Sequence, residues 1–169
     1  MWLVGERNIP LCYNRRNSMQ KKLVKNYTTE VPLAKTISEI QQLLAENGAT
    51  GIAFDYDGQG KLKALFFRIN SVGKELPFRL PAKPDNVYHA LHGDAPGHQQ
   101  RRYGEQWREA AERIAWRVCK LWLEAQITHI NLDQAKPQEV FLPYLVMPNQ
   151  KTLYETMEEN RFLLPGNAT

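Results

Sequence analysis

Residues 101–127, RRYGEQWREAAERIAWRVCKLWLEAQI, limit what this chain can fold into more than any other stretch. With Ile114 as origin and about 100° of turn per residue, Trp107, Ala110, Ala111, Val118, Leu121 and Ala125 fall in one stripe. The steps along that stripe alternate four and three, the spacing of a buried helical seam. Trp116, Cys119 and Leu123 lie on roughly the opposite side, so the helix is apolar on two faces. A helix of that kind is expected to be sandwiched between layers.

The polar remainder is an edge carrying Arg102, Glu109, Arg113, Arg117, Lys120 and Glu124. Glu109 precedes Arg113 by four residues, the favourable order for a helical ion pair. Arg113, Arg117 and Lys120 have no acid at a comparable position between them. One reading is a cationic strip that meets phosphate or a carboxylate-rich partner; the plainer one is a solvated face whose arginine stems cover apolar neighbours. Trp116 projects beside Arg113 and Lys120. Exposed, it stacks on a base or ring; covered, it packs against residues 141–146, and its apolarity favours the covered arrangement.

A chain of 169 residues with 43% apolar and 10% aromatic side chains is long enough for one domain with a sizeable core. No apolar run nears the ~18 residues that cross a bilayer. The opening WLVG is too short for a signal-peptide core, so a cytosolic protein without membrane partners is expected. Cys12 and Cys119 are the only cysteines, and neither suits a disulfide or a catalytic thiol.

The formal charge of +4 is unevenly placed. Residues 1–25 carry six basic side chains against Glu6 alone, a balance of +5, whereas residues 26–169 hold 16 basic and 17 acidic ones, or −1. Residues 1–25, with Arg15, Arg16, Lys21 and Lys22, read as a flexible basic arm able to hold phosphate by charge, or as an upstream extension before a start at Met19. Residues 26–166 are expected to form a single domain and 167–169 a loose tail.

Within that domain, Pro32 and Gly48 bracket a helix over residues 33–47. Two β-rich runs flank Asp57-Gly58, a third strand follows at 75–80 with Pro77 marking an edge, and Asp85 is placed to cap a short helix over 86–92. After the long helix come a helical turn near 133–139, an apolar segment at 140–146 and a last helix over 151–160. The order gives an α+β fold: an N-terminal helix, a three-stranded antiparallel meander, then a long central helix packed on the sheet, with smaller C-terminal helices.

The chemistry is sparse. Asp55-x-Asp57-x-Gln59-Gly60 imitates the start of a calcium loop, but Phe66 stands where the bidentate Glu belongs. His89, His92 and His98, with Asp94, are secondary metal candidates unsupported by any cysteine pair or HExxH pattern. There is no Walker loop, GxGxxG or nucleophile elbow, so no cofactor is expected and an enzyme is disfavoured.

Residues 25–28 (KNYT), 35–40 (KTISEI), 77–81 (PFRLP), 114–118 (IAWRV), 122–126 (WLEAQ), 140–144 (VFLPY) and 152–155 (TLYE) resemble a set of small uncharacterised proteins encoded by bacteriophages and integrated mobile elements. The similarity spans roughly residues 27–166. It implies a mobile-element setting inside a bacterial cell and carries no assigned site. The expectation is a non-enzymatic binding protein that associates with nucleic acid through Arg102, Arg113, Trp116, Arg117, Lys120 and the basic arm. The alternative is a protein–protein module such as an inhibitor of a host defence complex, and a small metal-dependent enzyme comes third.

Overall fold

The structure, a computed structural model, describes residues 28–71 and 73–162. The basic arm, Met19 and the tail beyond residue 162 lie outside the described residues. The elements are α1 (Leu33–Glu46), β1 (Ala49–Tyr56), β2 (Leu62–Ser71), β3 (Lys74–Pro81), α2 (Pro84–His92), α3 (Gly97–Asn131), α4 (Pro137–Phe141), a 3₁₀ turn (Leu142–Tyr144) and α5 (Leu153–Glu159). This is the expected α+β arrangement, with the meander between an N-terminal helix and the long helix.

Local chemistry explains most boundaries. Pro32 precedes the first turn of α1, and Gly48, at φ +86°, takes the left-handed conformation that ends it. In the β1–β2 turn the Asp57 carboxylate accepts from Gln59 N (2.8 Å) and Lys61 N (2.9 Å), so the second acid of the calcium-like run holds the hairpin. Thr152 and Glu155 form a reciprocal capping box at the start of α5. Asp85 is a correction: α2 begins at Pro84, so Asp85 sits inside the first turn and makes no side-chain cap. Proline at the first helical position needs no N–H, which moves the start forward.

The sheet order is β1-β2-β3, both pairs antiparallel, with β2 central. β3 is the edge that Pro77 implied. Its outer side is closed locally where Val146 N donates to Pro77 O (2.8 Å) and Leu145 pairs with Phe78. Alternation sends Leu65, Phe67, Phe78 and Leu80 inward, all buried. Phe67 packs against Phe78 (5.4 Å between ring centroids) and Phe141 (5.2 Å), while Phe54 meets Trp116 edge-on at 6.1 Å. These rings, with Ile40 and Leu44 of α1 and Leu123 and Ile127 of α3, form the core.

The long helix is not sandwiched along its length, which corrects the reading of its two apolar faces. Its 35 residues span roughly 52 Å at 1.5 Å per residue, far more than a short three-stranded sheet can cover. The two faces therefore serve two halves. In the first half α2 folds back along α3: the His92 ring stacks on Trp107 (4.2 Å, 4° between planes), and the Arg108 guanidinium lies 4.7 Å over Tyr88. In the second half the opposite face, with Trp116, Leu123 and Ile127, meets the sheet and α1. The seam drawn through Ile114 is half-buried at Trp107 and Ala110, buried at Ala111 and Ile114, and then emerges, with Val118 41% exposed, Ala125 exposed and Leu121 half-buried.

Candidate functional site

The cationic edge does not survive folding as an open strip. α1 lies alongside α3 in the same direction, with Glu39 beside Arg117 and Asn47 beside Asn131. Arg117 Nη1 donates to Glu39 Oε2 (2.5 Å), and Lys120 Nζ reaches Glu39 (3.3 Å) and Glu124 (2.6 Å). Only 13% of the Lys120 side chain is exposed. The Arg117 hydrogen bond is the main cause that holds the Glu39 carboxyl below its usual range; desolvation pushes the other way, and Lys120 lowers it further. Arg113 is half-buried, and its Nε is enclosed without a hydrogen-bond partner.

Trp116 is 0% exposed and belongs to the core, so it cannot stack on a base. It meets Phe54 of the sheet, whereas the tryptophan that packs on residues 141–144 is Trp122, against Phe141 (5.9 Å) and Tyr144 (5.4 Å). Arg102 is exposed near the other end of the helix, over the Tyr103 ring (5.2 Å), with exposed Glu105 and Glu109 between it and the rest of the edge. The five helix residues expected to make one surface are therefore not brought together. Arg15, Arg16, Lys21 and Lys22 lie outside the described residues.

The histidines are dispersed likewise. His92 is engaged by Trp107 and Tyr88, and His89 packs edge-on to Tyr88. Among the described residues no three His, Cys, Asp or Glu side chains are grouped closely enough to hold a metal ion. Cys119 is mostly buried, and desolvation pushes its thiol up to about 11, which keeps it protonated and unreactive at neutral pH. No helix among the described residues is long and apolar enough to cross a membrane.

Two features remain. One is the emergent seam on the outer side of α3, with Val118, Leu121 and Ala125. Over the first half of the helix the face that no element covers is polar, carrying Arg102, Glu105 and Glu109; over the second half it exposes Val118 and Ala125, with Leu121 half-buried between them and Thr128 and His129 at its end. α2 ends the cover because its start, where Asp85 meets Arg108 (3.6 Å), reaches only the middle of α3. Hydrophobic spacing in the sequence marked this seam, but nothing there showed that its cover stops halfway. The other feature is an open cleft of about 480 Å3 between the β1–β2 turn, the start of α2 and the middle of α3. Lys61 and Lys63 of the hairpin and Lys83 before α2 line it together with the acids Asp57, Asp85 and Glu112, a mixed set that no motif announced. Compared with protein-family models, curated proteins and solved structures, the chain matches none.

Proposed function

We propose that this is a non-enzymatic binding protein that recognises another protein through the outer face of the second half of α3. The observation that carries the reading is the uncovered apolar seam of Val118, Leu121 and Ala125, with Val118 41% exposed. It continues the seam that α2 already occupies over the first half of the helix, so a partner presenting an apolar helix face would extend an existing helix–helix contact. An uncovered apolar face on an otherwise charged helix is the kind of surface that association buries. In the mobile-element setting that the resemblance implies, the partner is a host protein, such as a component of a defence complex.

Nucleic-acid binding is the second reading. It keeps the basic arm and the exposed Arg102, but Glu39 supports it poorly by occupying Arg117 and Lys120. One experiment separates the two. Tagged protein is exposed to bacterial lysate after nuclease digestion, as wild type, as the Val118→Glu/Ala125→Glu variant and as a Lys35→Glu control. A protein captured by wild type and control but not by the seam variant is the expected result. Capture that disappears on nuclease treatment supports the nucleic-acid reading, and capture unchanged by the seam variant removes the proposed surface.

A further inference from the structure

The free edge of the sheet is a surface separate from the α3 seam. β1 pairs only with β2, and no isolated bridge among the described residues reaches its other side. An unpaired strand edge templates the addition of a further strand unless lysine, proline or a cover blunts it. β3 has such devices in Pro77, Pro81 and the contact with Val146. β1, ATGIAFDY, contains neither lysine nor proline.

Register fixes which backbone groups are open. Ala82 N donates to Lys63 O (3.1 Å), so alternate residues of β2 from Lys63 onward turn their N–H and C=O groups toward β3. Ala64, Phe66 and Arg68 turn theirs toward β1. Their partners Asp55, Ala53 and Gly51 are thereby bonded to β2, which leaves the backbone groups of Ile52 and Phe54 aimed at the open edge. The irregularities at Ala49/Gly51 and Asp55/Tyr56 confine the regular stretch to residues 51–55, and Ala53 is its centre. A second, antiparallel copy turned about Ala53 therefore places Ile52 against Phe54, the two residues with open groups. It also sets Asp55 opposite Gly51. A Cβ at Gly51 would stand 2.6 Å from Arg68 Nη2 and 2.8 Å from Nε, so the guanidinium lies over this glycine while its Nη1 holds Glu75 (2.9 Å). The Asp55 carboxylate is exposed and forms no ion pair among the described residues. The five donors of a guanidinium can serve two carboxylates.

We propose that two copies of the chain join through β1, antiparallel about a two-fold axis at Ala53, and extend the sheet across that axis. Each Ile52–Phe54 pair exchanges both its backbone hydrogen bonds and sets a β-branched side chain beside an aromatic one. Asp55 of each copy meets Arg68 of the other. A two-fold contact uses the same patch on both copies and closes at the dimer.

Ala53 is exposed and faces Ala53 of the second copy in a pair without backbone hydrogen bonds, where Cα atoms stand about 4.5 Å apart, within disulfide reach. The test uses that proximity. Full-length protein in a Cys12→Ser background is mildly oxidised with Ala53→Cys or with Asp55→Cys, whose positions lie roughly 14 Å apart across the axis. Wild type, Ala53→Lys and Val118→Glu/Ala125→Glu are followed by sedimentation up to ~1 mM, near the floor of measurable association. The expected result is a dimer in wild type and in the seam variant. Ala53→Lys, with like charges facing each other, should associate at least about tenfold more weakly. Ala53→Cys should form a disulfide-linked dimer at least about tenfold faster than Asp55→Cys. The proposal is overturned by a chain that stays monomeric up to ~1 mM, by an Ala53→Lys variant that associates like wild type, by loss of the dimer in the seam variant, or by equal cross-linking at the two positions. A monomeric chain whose capture of a lysate protein is lost in Ala53→Lys assigns the edge to a foreign strand, and overturns it too.

Discussion

Glu39 is the residue on which the charge of the long helix turns. Its carboxylate meets both Arg117 and Lys120 at the α1–α3 contact, where both cations are largely covered. Removing it strands two partly desolvated charges, which costs more than losing an exposed pair. Glu39→Ala should therefore lower the urea midpoint, and Lys35→Ala, exposed on the same helix, should not. The pH dependence follows from the sign of the shift. A carboxyl whose folded pKa is lowered contributes stability that is fully present above the unfolded value, near about pH 4.3, and lost as pH falls through the lowered one. Wild type should lose stability across that acid window more steeply than Glu39→Gln, as read by denaturation at a series of pH values. Cys119 gives a second residue-scale expectation. In a Cys12→Ser background its buried thiol, held up to about 11, should react with a disulfide reagent at pH 8 far more slowly in the native protein than in denaturant. Equal rates would show that the α3 contact opens freely.

At the scale of elements, termini and turns carry most of the specification. Gly48 closes α1 at φ +86° with open space around its Cα, so Gly48→Ala meets no clash but takes on the left-handed strain. A loss of about 1–2 kcal/mol is expected, measured by urea unfolding. The long helix offers a sharper comparison, because adjacent turns differ in what they touch. Leu123 is 0% exposed, and Leu123→Ala should cost about 2–5 kcal/mol. Val118→Ala, on the outer seam, should stay within about 1 kcal/mol. If the two substitutions cost the same, the division of α3 into halves with opposite buried faces is wrong.

For the whole molecule, the sheet is too short for the helix that crosses it, and that mismatch creates both the cleft and the seam. α2 covers the first half of α3, beyond the sheet, and that cover stops near the middle of the helix, leaving the cleft at the junction and the apolar seam beyond it. Adding a helix cap cannot repair this; only a partner or a solvent-compatible sequence could. Val118→Glu/Ala125→Glu should accordingly retain the wild-type thermal midpoint to within a few degrees while abolishing partner capture, the midpoint being sensitive to roughly 2–4 °C per kcal/mol at this chain length.

The order of helix, meander, long helix and short helices was legible in the amino-acid sequence, because Pro32, Gly48, the Asp57-Gly58 turn and the 3.6-residue period act within a few neighbours. So was the buried state of Trp116 that its apolarity favoured. Periodicity also found both apolar faces of residues 101–127, but it could not say that they belong to different halves, since a period carries no information about where a covering element ends. The pairing of Arg117 and Lys120 with Glu39 was hidden for a related reason: Glu39 lies 78 residues before Arg117, and charge neutralisation across helices depends on their alignment, whereas the Lys120–Glu124 pair is local to one helix. Sequence thus determined which elements form and which faces they must bury. Tertiary structure alone decided which charges cancel and which apolar face is left over, because those outcomes depend on the relative lengths and placement of packed elements.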